Sequence, residues 1–293
     1  MKIKHLLYII ILGVLTACGP TVSLPVLKYY EYDKELPLQD SVELVKDTAT
    51  YKLYKINYRS VNYKQVSGLL TIPENGTKPL PVIILLHGAG DEKTVDYIEY
   101  GNDFLHKNGY AVLRIDISKH GDRVEENYDL TFKGKTKYWS REIITQTVFD
   151  LRRAVDFIET RDELDAEKIG FFGISLGGIT GTIFCGVEER VKVPVIVLAG
   201  GQLNLMYGAK ALSSDTRDFL SIIEPNNFVK QIAPRPLLMI NAENDEIVLP
   251  LMSKSLFRSA KEPKKIIWYP AKHHTIPLEK TYREGLNWFN KYL

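Results

Sequence analysis

The sequence predicts an α/β protein with a mostly parallel central sheet flanked by helices, and three observations carry that prediction. First, Pro81 to Leu86 (PVIILL) is a short, wholly apolar run, and similar runs recur at 110–115 (YAVLRI), 168–174 (KIGFFGI), 193–199 (VPVIVLA), 236–241 (PLLMIN) and 265–269 (KIIWY). Runs of this length and character suit strands buried on both faces of a parallel sheet. Second, helical patterns fall between them. Trp139, Ile143, Thr147, Leu151, Ala154, Val155 and Ile158 share one face, 252–261 reads as another helix, and Leu278, Tyr282, Leu286, Phe289 and Leu293 recur at spacings of three and four. Third, such alternation of strand and helix implies right-handed βαβ units. The 293 residues are 45% hydrophobic and 25% charged, which is ordinary globular composition and fits one domain of this class.

Ahead of the parallel part, residues 50–58 (TYKLYKINY) and 64–72 (KQVSGLLTI) are rich in β-branched and aromatic types. They read as strands of an antiparallel hairpin or meander, with Pro73-Glu74-Asn75-Gly76 as a turn. Two stretches interrupt the alternation. Residues 116–138 form a long polar and aromatic loop, and residues 200–235 form an insertion of mixed character, read as a small lid. Both follow C-terminal ends of strands, where open α/β sheets bind ligands.

The first residues read as an address. Lys2 and Lys4 precede an apolar run from Leu6 to Ala17, which is too short to span ~30 Å of hydrocarbon and suits a signal-peptide core. Leu15-Thr16-Ala17-Cys18 resembles the lipobox of bacterial lipoproteins. That resemblance implies removal of residues 1–17, lipidation at Cys18 and a stable anchor through several acyl chains. Gly19 follows with no acidic residue, a departure from inner-membrane retention that favours the outer membrane or its periplasmic face. Residues 18–35, with Pro20 and Pro25, are then a tether, and 36–293 the folded domain.

Charge and cysteine content exclude several function classes. Two of the 38 basic residues, Lys2 and Lys4, lie in the leader, so the rest of the chain balances its 36 acidic residues. No nucleic-acid partner is expected from that balance. The other cysteine, Cys185, falls in a predicted helix and reads as a small buried apolar side chain. No metal or cofactor motif is present.

The chemistry-bearing motif is Gly173-Ile174-Ser175-Leu176-Gly177. A chain this long produces G-x-S-x-G by chance on the order of once in ten. Here it follows a predicted buried strand and precedes a predicted helix, the setting that projects a serine Oγ from a sharp strained turn. Ser175 is therefore the expected nucleophile. His87-Gly88-Ala89-Gly90 follows the PVIILL strand, so the N–H groups of Ala89 and Leu176 are the expected oxyanion hole. His87 itself reads as structural. In the order nucleophile, acid, base, Asp245 is the expected acid, with Glu243 and Glu246 as solvated competitors. The base lies on the loop carrying His273-His274, and these residues alone leave the choice between the two open. His120, after a strand, reads as a solvated loop residue or a pocket residue.

Together these residues resemble the α/β-hydrolase fold superfamily, and within it the dienelactone-hydrolase-like and small acyl-esterase branch, over roughly residues 50–293. The resemblance rests on His87 to Gly90, Asp116 to Arg123, Gly173 to Gly178, Asp245 to Pro250 and the His273-His274 loop. A related esterase pattern, His-x-Ile before the last helix, matches His274-Thr275-Ile276 and selects His274 as the base. In that branch the acid loop ends Asp-x-x-Val-Pro, whereas here Leu249 intervenes before Pro250.

The expected function is hydrolysis of carboxylic esters through an acyl-enzyme at Ser175, on small-molecule or glycan-linked acyl esters outside the cytoplasm. The alternatives are a serine peptidase of the same fold and a non-catalytic binding lipoprotein. Peptidases of this fold commonly carry a large N-terminal propeller, which the residues ahead of the domain are too few to form. The intact Ser–Asp–His order speaks against a mere scaffold.

Overall fold

The computed structural model describes residues 25–125, 137–206 and 214–293. The leader with Cys18, and parts of the tether, the 116–138 loop and the 200–235 insertion, lie outside those residues.

Among the described residues nine strands form one sheet: β1 (Ser41–Asp47), β2 (Tyr51–Arg59), β3 (Gln65–Pro73), β4 (Leu80–Leu86), β5 (Ala111–Ile115), β6 (Leu164–Ile174), β7 (Val191–Val197), β8 (Leu237–Ala242) and β9 (Lys264–Tyr269). Their order is β1-β2-β3-β5-β4-β6-β7-β8-β9. The first three strands form an antiparallel meander that joins β5 antiparallel, and every later pairing is parallel. All six apolar runs are strands, displaced from expectation by a few residues at most. The strand missing from the sequence reading is β1, which has every residue exposed. Its alternation is confined to Ser41-Val42-Glu43-Leu44 and broken by Val45, too short a stretch to stand out as a strand. A register shift between Leu44 and Lys46 interrupts its pairing with β2.

The helices are α1 (Asp96–His106), α2 (Lys137–Glu159), α3 (Leu176–Val187), α4 (Ser214–Leu220), α5 (Pro250–Ser259) and α6 (Leu278–Tyr292). Side chains alternate along each strand, and the core divides accordingly. Ile83, Leu85, Phe172 and Val195 pack with Ile98 and Leu105 of α1 and Tyr282 and Phe289 of α6. Ile84, Leu86, Phe171 and Ile196 face the other way, toward α2, α3 and α5. The sheet is thus covered on both sides, which is why its central strands are apolar over most of their buried length.

Residues 25–35, expected as tether, are docked on the domain. Lys28–Tyr30 form a 3-10 turn, and Tyr30 is fully buried. Its hydroxyl donates to the Ile222 carbonyl at 2.7 Å, and its ring packs against Phe149 and Phe228 at centroid distances of 5.5 and 5.6 Å. The Tyr32 hydroxyl meets the Asp156 carboxylate at 2.8 Å. An aromatic ring buried to this degree stabilises its segment whatever the chain before it does. Replacing Tyr30 by Ala is expected to cost about 3 kcal/mol in urea unfolding and to open 25–35 to proteolysis. An unchanged midpoint and protease pattern would show that the strap adds nothing to the fold.

Candidate active site

Ser175 sits in the turn between β6 and α3, at φ 56° and ψ −117°. The strain is held from both sides. The Ser175 N–H donates to the Val197 carbonyl at 2.9 Å, and the Ser175 carbonyl accepts from Ile179 N–H at 2.9 Å. The flanking glycines have no room for a side chain. A Cβ at Gly173 would lie 2.5 Å from the Gly177 carbonyl oxygen, and one at Gly177 would lie 2.4 Å from the His87 carbonyl oxygen. The pentapeptide therefore seats the turn directly on the end of β4.

A continuous hydrogen-bond chain leaves the Ser175 hydroxyl. Its Oγ lies 3.0 Å from Nε2 of His273, and His273 Nδ1 lies 2.7 Å from Asp245 Oδ2. With Nδ1–H donated to the carboxylate, Nε2 is the acceptor for the serine proton. Asp245 Oδ1 accepts the N–H groups of Ile247 and Val248 at 2.9 and 2.8 Å, so the carboxylate is fixed by its own loop despite the extra Leu249. Glu243 and Glu246 are exposed, as expected of competitors in solvent.

The expectation of His274 as the partner of Ser175 is corrected by this geometry. His273–Thr275 form a 3-10 turn, closed by Lys272 N–H donating to Thr275 Oγ1 at 3.0 Å. Successive residues of such a turn project in different directions. It sends His273 inward, at 5% exposure, and leaves His274 exposed, edge-on to the His273 ring at 5.1 Å. The His-x-Ile pattern misled because Ile276 does line the site, one residue out of the assumed register.

Gly88 and Ala89 border the same cavity as Ser175 and His273. Leu176 is the first residue of α3, so its N–H has no intrahelical acceptor. The loop carrying Ala89 is pinned at two points. Gly88 N–H donates to the Tyr97 hydroxyl at 2.8 Å, which donates to Asp91 Oδ2 at 2.7 Å. Beneath it, fully buried Asp116 accepts the Lys93 N–H at 2.8 Å and pairs with the Lys93 ammonium. The Asp116 to Arg123 segment is thus a clamp on that loop. His120 belongs to the clamp rather than to solvent: it is buried, with Nδ1 2.9 Å from the Ser118 carbonyl.

His87 is fully buried and structural. Nδ1–H donates to the Gly88 carbonyl at 2.7 Å, and Nε2 accepts Ile117 N–H at 3.0 Å. This network needs the neutral ring. Desolvation pushes the imidazole pKa down to about 4 from an ordinary 6.5. Cys185 is buried and its thiol is pushed up to about 12 by desolvation, so it is inert at neutral pH. Among the described residues no group of three or more His, Cys, Asp or Glu is arranged to hold a metal ion, and no helix is long and apolar enough to cross a membrane.

Because the unfolded chain takes up a proton at His87 that the folded chain refuses, its contribution to stability is complete above pH 6.5. It is lost as pH falls toward 4, up to about 3 kcal/mol. Urea unfolding between pH 4 and 7 is expected to show a slope that flattens in His87→Gln. An identical slope in that variant would assign the acid sensitivity elsewhere.

Residues 81–221 match the family model described as alpha/beta hydrolase fold. Among curated proteins, the putative hydrolase YtaP of Bacillus subtilis is 23% identical over 193 residues, covering 60% of this chain and 64% of the relative. The acetyl esterase Axe7A of Xylanibacter ruminicola is 21% identical over 274 residues, covering 83% of this chain and 60% of the relative. The chain therefore spans less than two thirds of either relative. Among solved structures, the acetyl xylan esterase from Paenibacillus sp. R4 superposes with a TM-score of 0.74 at 19% identity, covering 91% of each chain. With the strand order, the covered sheet and the serine turn between β6 and α3, these likenesses establish that the chain has the α/β-hydrolase fold.

Proposed function

We propose that the chain is a serine esterase, within the dienelactone-hydrolase-like and small acyl-esterase branch, that cleaves small or glycan-linked acyl esters. One observation carries this reading: the unbroken chain from Ser175 Oγ through His273 to Asp245, at 3.0 and 2.7 Å. His273 Nε2 takes the serine proton as Oγ attacks the ester carbonyl. The N–H groups of Ala89 and Leu176 receive the oxyanion, each worth about 3 kcal/mol of barrier. Asp245 holds the tautomer and stabilises the imidazolium. His273 then protonates the departing alcohol, and water enters by the same route in reverse to free the acid.

The cavity beside Ser175 has a volume of about 210 Å³. An apolar cavity of about 150 Å³ accommodates benzene, so a group of roughly eight non-hydrogen atoms fills this one. That size favours short acyl esters over long-chain lipids. Axe7A, an acetyl esterase, and the Paenibacillus enzyme, an acetyl xylan esterase, point the same way. For location, the lipobox resemblance at Cys18 supports a lipid-anchored enzyme of the cell envelope.

A fluorophosphonate probe and p-nitrophenyl acetate test the chemistry. Wild type is expected to label and to turn over, and Ser175→Ala to do neither. His273→Ala is expected to lose about 10³-fold or more in kcat, while His274→Ala stays within about tenfold of wild type. Retained hydrolysis in Ser175→Ala would sink the esterase reading; equal losses in the two histidine variants would sink the assignment of the base.

A further inference from the structure

The cavity beside Ser175 carries a carboxylate in a largely apolar wall. Ile174, Val197, Leu198, Ile276 and Leu278 supply the apolar lining, and Asp91 borders the same space. The carboxylate stands close to the reacting serine. A Cβ built on Gly88 would lie 3.4 Å from Ser175 Cβ and 3.5 Å from Asp91 Oδ2, so a single point touches both. The carboxylate is also fixed in place. The Tyr97 hydroxyl donates to Oδ2 at 2.7 Å and is itself held by Gly88 N–H at 2.8 Å. Asp91 Oδ1 takes no part in that bond, and as a carboxylate oxygen it only accepts.

Among the described residues no lysine or arginine borders the cavity. Lys93, the nearest lysine along the chain, turns its ammonium to Asp116 and Asp122 instead. A carboxylate without a cation beside apolar walls is unfavourably placed, and such walls carry its field further than water would. Asp91 also follows directly on the loop whose Ala89 N–H receives the oxyanion. Its charge therefore opposes the negative charge that develops in the transition state. A positive charge on the substrate removes both penalties.

We infer that Asp91 makes the site selective for cationic esters, those with an ammonium group a few bonds from the carbonyl that Ser175 attacks. The inference rests on the esterase reading and narrows its substrate class. An ammonium against Asp91 neutralises the carboxylate and leaves the oxyanion unopposed. An alkyl group of the same shape covers the charge with hydrocarbon, and an anionic group is repelled outright. The apolar lining meets the rest of the carbon skeleton. Either half of the ester can present the cation, and the test separates the two.

Two matched series are followed by pH-stat at neutral pH, where the amine is charged. The acyl series is β-alanine ethyl ester, its neutral isostere ethyl butyrate, and monoethyl succinate. The alcohol series is acetylcholine, its neutral isostere 3,3-dimethylbutyl acetate, and O-acetylglycolate. Each kcat/KM is divided by the rate constant of that ester with hydroxide, which removes the inductive effect of the charge. In one series the cationic member is expected to exceed its neutral isostere by about tenfold, with the anionic member slowest. That series identifies the half of the ester that meets Asp91. Asp91→Asn, which can still accept from Tyr97, is expected to bring the cationic-to-neutral ratio toward one and to raise the anionic member. Each readout is a ratio within one preparation, so partial loss of folded protein cancels. Turnover by the wild type with no cationic preference in either series overturns the inference without any variant, and so does a preference that survives in Asp91→Asn. Both results leave the esterase reading intact. No turnover of any ester, with no fluorophosphonate labelling, would remove the esterase reading itself.

Discussion

The site is organised by a backbone contact that has no side chain in it. Gly177 presses against the carbonyls of Leu86 and His87 so closely that a Cβ would lie 2.6 and 2.4 Å from their oxygens. The turn that raises Ser175 therefore rests on the very point where β4 ends and the loop of Ala89 begins. Nucleophile and oxyanion loop are two sides of one contact, and neither can move without the other. Pre-positioning of this kind matters because donors that are already aimed need no reorganisation when charge develops.

What surrounds that contact is polar, buried and fully committed. His87 ties Gly88 to Ile117 as a neutral ring, and Asp116 ties Lys93 to the segment that follows β5. Such groups are costly to bury unless every partner is in place. Here the partners come from separate stretches of chain, so the network holds only when β4, β5 and their loops are all in register. The polar clamp specifies the shape of the site, while the apolar sheet beneath supplies the stability.

The sequence carried the sheet, the serine turn and the acid because each depends on local pattern. Six apolar runs became strands, G-x-S-x-G needed its strand and helix on either side, and Asp245 followed β8 as expected. It was silent where the answer depends on a direction in space. His273 and His274 are chemically identical neighbours, and only the turn closed by Thr275 separates the buried ring from the exposed one. The strap at 25–35 looked like a linker because its anchors, Tyr30 and Tyr32, find their partners at Ile222 and Asp156, far along the chain. His120 looked solvated for the same reason: its burial comes from segments that sequence does not place next to it.

The meander that opens the domain leaves β1 at the rim with Val42, Leu44 and Val45 each at least 40% exposed. An outer strand of that character is a template on which a second polypeptide could lay itself. The shift in register between Leu44 and Lys46 breaks the regular spacing of its free N–H and C=O groups and increases the local twist. Lys46 and Asp47 add charge just beyond the break. A foreign strand that begins to pair on this rim meets a step after a few residues, so the break itself guards the edge of the sheet.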